Sequence, residues 1–212
     1  MQIQPGVRGL LDQFSGGEYF LDLGCGNGEL AREMENRGFQ GTYIGLDFSP
    51  ELLEVARESR FRNLQTKFIS AELTSPDWTD AVSSQKFDIV LAFAVLHHLP
   101  GTDLRQIFLG NLLKLIKPTG RFYHSEWQFL KSGRLKSRIQ PWDLIGLSDP
   151  DVEPGDYLLD WRRGGYGLRY VHYFTEGELT DLASRTGFSV CDTFYSDGKE
   201  GNLGLYQVWE PS

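Results

Sequence analysis

Apolar and amphipathic segments alternate along residues 1–126, and this alternation predicts a layered α/β domain. Short runs rich in β-branched and aromatic side chains are typical of buried strands, whereas apolar residues spaced three and four apart are typical of helices. The predicted strands cover residues 19–23, 42–46, 66–69, 87–91 and 121–125. The predicted helices cover residues 29–35, 50–57 and 103–117. This regular alternation of strands and helices favours a mostly parallel sheet with helices on both faces.

Turn and capping residues complete the pattern. Pro118-Thr119-Gly120 predicts a tight turn before the fifth strand. Thr175 and Glu178 have the spacing of a capping box, and Gly187 is expected to end the helix that they begin. Two further strands are predicted over residues 188–195 and 203–209. The expected fold is therefore a Rossmann-like, seven-stranded, mostly parallel sheet with helices on both faces.

Residues 127–174 interrupt the alternation and predict a lid or substrate insertion between strand five and the last helix. The segment contains Pro141, Pro150, Pro154 and the stretch Gly164-Gly165-Tyr166-Gly167. An insertion of this length in a compact domain is usually functional. We therefore expect one domain over residues 1–212, made of a ligand-binding core (1–126), the insertion (127–174) and a closing helix and strand hairpin (175–212).

Composition and charge exclude several classes of protein. Hydrophobic residues make up 40% of the chain and charged residues 24%, which is an ordinary globular balance. The net charge of -8 weighs against general affinity for nucleic acid. The longest apolar run, Ile89–Leu96, is too short to cross a bilayer, and the first residues do not resemble a signal peptide. Two cysteines, Cys25 and Cys191, are typical of reduced thiols and of a cytoplasmic location.

A glycine loop follows the first predicted strand. In the segment Asp22-Leu23-Gly24-Cys25-Gly26-Asn27-Gly28, glycines allow a sharp turn and a close approach of the backbone to a ligand. The helix that follows favours an anionic group at its N-terminus. Asp47 ends the second strand about twenty residues later, where a carboxylate can accept both hydroxyls of a ribose. The nicotinamide-binding fingerprint would place a third glycine at position 29, where this chain has Glu29.

The D-x-G-C-G-x-G pattern resembles motif I of class I methyltransferases that use S-adenosylmethionine (SAM). Asp47-Phe48-Ser49 resembles their ribose-binding segment, Ser70-Ala71-Glu72-Leu73 their adenine-binding segment and Phe87–Leu91 with Ala94–Leu99 their motif IV. Two positions differ from this family: it more often has aspartate at the position of Glu72 and glycine at the position of Thr119. The resemblance implies SAM as the cofactor, with these binding residues: Asp22, Gly24, Cys25, Gly26, Asn27, Asp47, Phe48, Ala71, Glu72 and Phe93.

Other segments resemble the eukaryotic family that methylates the carboxymethyl group of wobble uridine in tRNA. They are Ala94–His98, Glu126-Trp127-Gln128 and Leu168–Phe174. A tRNA acceptor would need a basic surface. The insertion offers seven basic residues, Lys131, Arg134, Lys136, Arg138, Arg162, Arg163 and Arg169, but six acidic residues offset them. We therefore favour a small-molecule acceptor over tRNA.

Histidines supply the candidate acid–base chemistry. His97 follows the fourth strand at the carboxyl edge of the sheet and is the candidate catalytic base. His124 lies within the fifth strand and is expected to be a hydrogen-bonded core residue. Candidate acceptor-binding residues are His98, Trp127, Arg169, Tyr170 and His172. The histidines lack carboxylate or cysteine partners at ligand spacing, so no metal site is expected.

The expected activity is methyl transfer from SAM to an oxygen or nitrogen atom of a small molecule or of tRNA. Two alternatives involve no catalysis. The chain could be a SAM-binding partner subunit of another methyltransferase, or a Rossmann-like domain that has lost its ligand. Intact cofactor residues count against both, since neither needs to keep them. The oligomeric state and the methyl acceptor stay open.

Overall fold

The computed structural model describes residues 3–162 and 165–212. The strands are β1 (Tyr19–Leu23), β2 (Thr42–Asp47), β3 (Gln65–Ser70), β4 (Phe87–Phe93), β5 (Ile116–Trp127), β6 (Ile139–Gln140), β7 (Asp156–Trp161), β8 (Gly167–His172), β9 (Phe188–Ser196) and β10 (Gly204–Pro211). The helices are α1 (Pro5–Leu11), α2 (Glu29–Asn36), α3 (Pro50–Glu58), α4 (Thr102–Leu113), α5 (Gly133–Lys136) and α6 (Glu176–Arg185).

Seven strands form the main sheet in the order β3-β2-β1-β4-β5-β10-β9. Strands β1 to β5 pair in parallel, whereas β10 is antiparallel to both β5 and β9. The strand order reverses between β1 and β4, and ligands of open α/β sheets bind at the carboxyl ends of the strands beside such a reversal. The predicted Rossmann-like fold is confirmed.

The central strands of the sheet are buried on both faces, as their nearly continuous apolar character predicts. Because successive side chains of a strand point to opposite faces, Val90 and Leu91 of β4 belong to two different core clusters. One cluster packs under α4 and α6 around Phe108 and Trp209. The other packs under α1, α2 and α3 around Phe20 and Tyr43. Rigid strands therefore support the loops at the carboxyl edge.

The predicted helix over residues 103–117 is too long, and the predicted turn at Pro118-Thr119-Gly120 is wrong. Helix α4 ends at Leu113, and residues 116–120 belong to β5. Ile116 pairs with Phe87, but Arg121 already pairs with Ile89, so the extra residues form an irregularity in the ladder. An apolar Ile116 suits a helix face and a buried strand equally, and periodicity could not separate the two.

The insertion forms a second, three-stranded antiparallel sheet in the order β6-β7-β8. Its apolar face packs around Phe129, Leu135, Leu159 and Val171. The sequence pattern predicted neither these strands nor α1, because α1 is short and contains proline and glycine, and the strands are short and separated by segments rich in proline and glycine.

Arg105 of α4 ties the insertion to the core. Its side chain is 2% exposed and donates to the carbonyl of Leu99 at 3.0 Å and to the hydroxyl of Tyr170 at 2.8 Å. The guanidinium also lies 3.3 Å from the carboxylate of Glu153 and 3.6 Å from that of Asp156. Since both carboxylates belong to the insertion, one buried cation joins the two parts of the molecule. Among the described residues, no helix has the length and apolar character needed to cross a bilayer.

Candidate functional site

The glycine loop lies at the carboxyl end of β1 and leads into α2. Gly24, Gly26 and Gly28 have φ angles of +73°, +54° and +76°, which residues with a Cβ atom rarely adopt. A Cβ at Gly24 would lie 2.7 Å from the side chain of Val95, whereas a Cβ at Gly26 would meet nothing within 4 Å. The loop therefore presents its backbone toward open space at Gly26, as a ligand cradle requires.

Asp47 ends β2 beside this loop. Its Oδ2 accepts the Gly26 amide at 2.8 Å, and its Oδ1 accepts the Ser49 amide at 2.9 Å. The carboxylate is 6% exposed. An ionised carboxylate has about four acceptor positions, so two backbone bonds leave capacity for the hydroxyls of a sugar. Asp47 thus holds the loop in place and remains able to bind a ribose.

Asp22 lies deeper than Asp47. It is 4% exposed, and the hydroxyl of Tyr43 donates to its Oδ2. Burial raises the pKa of Asp22 to about 7, although the bond from Tyr43 opposes this shift. The group therefore titrates near neutral pH, and a cation placed beside it would favour its ionised form.

The remaining predicted cofactor residues lie along the same edge. Phe48 follows Asp47 and is 70% exposed, an unusual position for a large apolar ring and a suitable one for stacking on a planar base. The Ala71 amide donates to the Asp47 carbonyl at 2.9 Å. Glu72 is exposed, and its Oε1 accepts from the hydroxyl of Thr74 at 2.8 Å. Phe93 ends β4 and is half-buried.

Cys25 and Asn27 complete the loop. Cys25 is buried, and its thiol faces Gly45 so closely that a Cβ there would lie 2.7 Å from Sγ. Burial raises the pKa of the Cys25 thiol, which is therefore a packing group. The carbonyl of Asn27 accepts from Arg32 at 2.7 Å.

A buried carboxylate joins two histidines behind the edge of the sheet. Glu126 of β5 lies 2.8 Å from Nδ1 of His97 and 2.8 Å from Nδ1 of His124, and it also accepts the His97 amide at 3.0 Å. Burial raises the pKa of Glu126. The side chain of His124 is fully buried, as predicted for a core histidine.

The two adjacent histidines differ in exposure. His97 is 1% exposed, whereas His98 is half-buried and bonds through Nδ1 to the Tyr170 carbonyl at 3.1 Å. Their ring centroids are 4.4 Å apart. Burial lowers the pKa of each ring to about 3, and the charge of Arg169 acts in the same direction on both. Both rings are therefore neutral at pH 7.

The five predicted acceptor residues fall into two groups. His98, Trp127 and Arg169 lie together, with the guanidinium of Arg169 4.9 Å from the Trp127 ring centroid. Tyr170 and His172 point to the other face of the insertion. Tyr170 donates to Asp156 at 2.5 Å, and His172 lies 2.6 Å from the carboxylates of both Asp156 and Glu178. Strand alternation separates the groups.

The expectation that the histidines lack carboxylate partners is wrong. His97 and His124 contact Glu126, and His172 contacts Asp156 and Glu178. Ligand atoms of Glu153, Asp156 and His172 even lie within 4.8 Å of one another, as metal ligands would. Arg105 already pairs with both carboxylates, so an ion-pair network explains this cluster. These partners are far apart in sequence, and local spacing could not reveal them.

The basic residues of the insertion are dispersed. Arg134 and Lys136 are exposed on α5, and Arg162 pairs with Asp160 at 2.6 Å. Arg163 and Gly164 lie outside the described residues. Sequence reasoning missed two residues that shape the site, Glu126 and Arg105. Glu126 lies inside a segment that resembles the family acting on wobble uridine, which gave it no role of its own, and Arg105 had no signal beyond its place in a helix.

Comparison with known proteins agrees with this geometry. A family model described as a methyltransferase domain matches residues 14–144. Demethylmenaquinone methyltransferase of Leptospira interrogans is 28% identical over 136 residues, covering 64% of this chain and 50% of the relative. The chain thus spans half the length of that relative.

Two solved structures share the fold. A SAM-dependent methyltransferase of Methanosarcina mazei superposes with a TM-score of 0.72 at 20% identity, covering 100% of this chain and 99% of the other. The second structure is a 1,6-didemethyltoxoflavin N1-methyltransferase of Burkholderia thailandensis with bound 1,6-didemethyltoxoflavin and S-adenosylhomocysteine. It superposes with a TM-score of 0.65 at 18% identity, covering 98% of this chain and 77% of the other. The seven-stranded sheet is therefore the fold of SAM-dependent methyltransferases.

Proposed function

Because the chain belongs to the methyltransferase domain family, we propose that it binds SAM and transfers its methyl group to an oxygen or nitrogen atom of a small molecule. The observation that supports this most directly is the hydrogen bond of 2.8 Å from the Gly26 amide to the carboxylate of Asp47, beside the exposed ring of Phe48. A ribose acceptor, a backbone cradle and a stacking surface then lie together at the carboxyl edge, where this fold binds ligands.

Each part of the edge has a task in this proposal. The loop amides and Asp22 bind the amino acid end of SAM, Asp47 the ribose, and Phe48 with Ala71 and Glu72 the adenine. Bound SAM supplies an electrophilic methyl group, whose bond to sulfur breaks with the electron pair left on sulfur as the bond to the acceptor forms. Catalysis of this displacement is mostly alignment and exclusion of water.

A histidine is available where the acceptor atom must lose a proton. The sequence singled out His97, but its ring is 1% exposed and bonded to Glu126. We therefore assign contact with the acceptor to the half-buried His98, with His97 packed behind it. A base must reach the proton that it removes, and exposure favours His98.

A small-molecule acceptor fits the charge and the relatives better than tRNA does. The net charge is -8, and the exposed cations of α5 are few. The Leptospira relative is named for a quinone acceptor, and the Burkholderia structure holds a small heterocycle. Residues 127–174 are proposed to cover the acceptor as a lid.

Radiolabelled methyl transfer tests the proposed activity. Purified protein and labelled SAM are incubated with the small-molecule and tRNA fractions of a cell extract. We expect label in the small-molecule fraction and in neither fraction with Asp47→Asn. Label in tRNA alone would contradict the small-molecule acceptor, and no transfer without a second protein would favour the partner-subunit alternative.

Binding of S-adenosylhomocysteine should strengthen as the pH rises toward 7. Burial raises the pKa of Asp22 to about 7 in the free protein, so an ammonium group that binds beside it must displace a proton at lower pH. We expect the affinity, measured by calorimetry, to rise about tenfold per pH unit below 6.5 and to level off above about 7. The ligand's amino group stays protonated across this range.

Asp22→Asn provides the matched control, because an amide does not titrate. Its affinity should be independent of pH over the same interval. A wild-type affinity that is also independent of pH would show that no cation binds beside Asp22. The stability of the free protein should change with pH in the opposite direction. Because the pKa of Asp22 is raised from 3.8 to about 7 on folding, the protonated carboxyl group stabilises the fold below pH 3.8, and this stabilisation is lost as the pH rises through 7.

A further inference from the structure

Arg169 of β8 lies between two indole rings. Its guanidinium carbon is 4.9 Å from the Trp127 ring centroid and 4.5 Å from the Trp161 ring centroid. Arg169 pairs with Leu159 across the β7–β8 ladder, so Trp161, two residues further along β7, faces the same side of the sheet. Both rings are thus within the distance at which an aromatic face attracts a cation.

Among the described residues, the charge of Arg169 has no counterion. Within residues 3–162 and 165–212, the side chain of Arg169 makes no hydrogen bond or ion pair, and its buried Nε atom lacks a partner. The carboxylate of Asp160 on β7 points to the opposite face and pairs with Arg162. Arg138 is near enough to act on Arg169 as a like charge. A half-buried guanidinium in such surroundings favours an anion.

The position of this cation is next to the proposed acceptor site. Trp127 ends β5 at the carboxyl edge, and its amide lies 3.3 Å from Nδ1 of His97. The charge of Arg169 adds to the effect of burial in lowering the pKa of both His97 and His98. An anion bound to Arg169 would offset that charge and make His98 a stronger base.

We propose that Arg169, held between Trp127 and Trp161, binds a carboxylate group of the methyl acceptor. A planar guanidinium matches a carboxylate through two parallel hydrogen bonds. This inference rests on the proposed function and names its substrate class, a small organic acid. The paired carboxylate is a recognition group and is not the group that is methylated, since two hydrogen bonds from the guanidinium make its oxygens poorer nucleophiles. The attacked oxygen or nitrogen belongs to another group of the same acid.

Calorimetric titration with benzoate, with the neutral benzamide and with inorganic phosphate tests the proposal, both with and without saturating S-adenosylhomocysteine. We expect benzoate to bind the wild-type protein at least about tenfold more tightly than benzamide, since bonds to a charged group are among the stronger ones. Arg169→Gln should remove this preference. Arg169→Lys should weaken benzoate binding several-fold, because lysine keeps the positive charge but cannot donate two parallel hydrogen bonds to a carboxylate. Arg134→Gln, an exposed cation on α5, is the matched control and should behave as wild type.

Three results would overturn the proposal. They are equal binding of benzoate by wild type and Arg169→Gln, no binding of benzoate under either condition, and an Arg169-dependent preference for inorganic phosphate over benzoate. S-adenosylhomocysteine binding is measured on the same samples. Its absence would contradict the proposed function, whereas its presence together with a failure of benzoate contradicts only the carboxylate subsite. Thermal unfolding of each variant establishes that it is folded.

Discussion

Replacing Asp47 by asparagine is expected to weaken S-adenosylhomocysteine binding by about 100-fold. An amide has one acceptor oxygen where the carboxylate has two, and its NH₂ group would face the Gly26 amide that Asp47 accepts at 2.8 Å. Hydrogen bonds to a charged group contribute about 1.5–3 kcal/mol each, and two ribose hydroxyls would lose such a bond. The substitution therefore acts on the ligand directly and on the loop that holds it.

Calorimetry at pH 7.5 measures this loss. Asp181→Asn is the matched control, because Asp181 is exposed on α6 and distant in the fold from the glycine loop. It should bind as wild type does. A change of less than about threefold in Asp47→Asn would place the ribose away from β2, since even one lost charged bond predicts more.

Arg105→Ala is expected to destabilise the protein by about 3–5 kcal/mol. Truncation leaves the carboxylate of Asp156 buried without the cation that lies 3.6 Å away, and it removes the bonds to Leu99 and Tyr170. The guanidinium also lies 5.3 Å from the ring centroid of Phe174, a contact that is lost as well. Removing one partner of a buried ion pair costs more than the pair contributes, because a charge stays behind without compensation.

Urea unfolding gives the free energy of unfolding of this variant. Arg134→Ala, an exposed cation, should lie within about 0.5 kcal/mol of wild type. Hydrogen exchange should accelerate first over residues 153–172, because Arg105 holds this segment against α4. Equal stability of Arg105→Ala and wild type would mean that the insertion is attached by its apolar face alone.

The core of the fold was predictable because its signals are local. Ser49 caps α3, as its position before Pro50 predicts, and its oxygen accepts the Leu52 amide at 3.3 Å. Thr175 caps α6 in the same way, accepting the Glu178 amide at 3.2 Å. The glycine loop and Asp47 likewise lie within one strand-loop-helix-strand unit. In each case the partner is a near neighbour in sequence or lies on an adjacent parallel strand.

Contacts between distant segments were not predictable in the same way. The carboxylate of Glu178 was expected to complete the capping box, but it lies 2.6 Å from His172 instead. Glu126 contacts His97 across 29 positions, and Arg105 contacts Glu153 in the insertion. The near balance of basic and acidic residues over 127–174 weighed against a nucleic-acid surface, but it did not predict these ion pairs. Such pairs depend on tertiary packing, which no spacing rule describes.

Calorimetric titration of the wild-type protein with S-adenosylhomocysteine is the most direct measurement of whether the carboxyl edge of β1 and β2 binds an adenosyl ligand. Saturable binding of one molecule per chain, weakened about 100-fold in Asp47→Asn and unchanged in Asp181→Asn, is the predicted result. No detectable binding at ligand concentrations of about 1 mM, the upper end of common enzyme affinities, would contradict it.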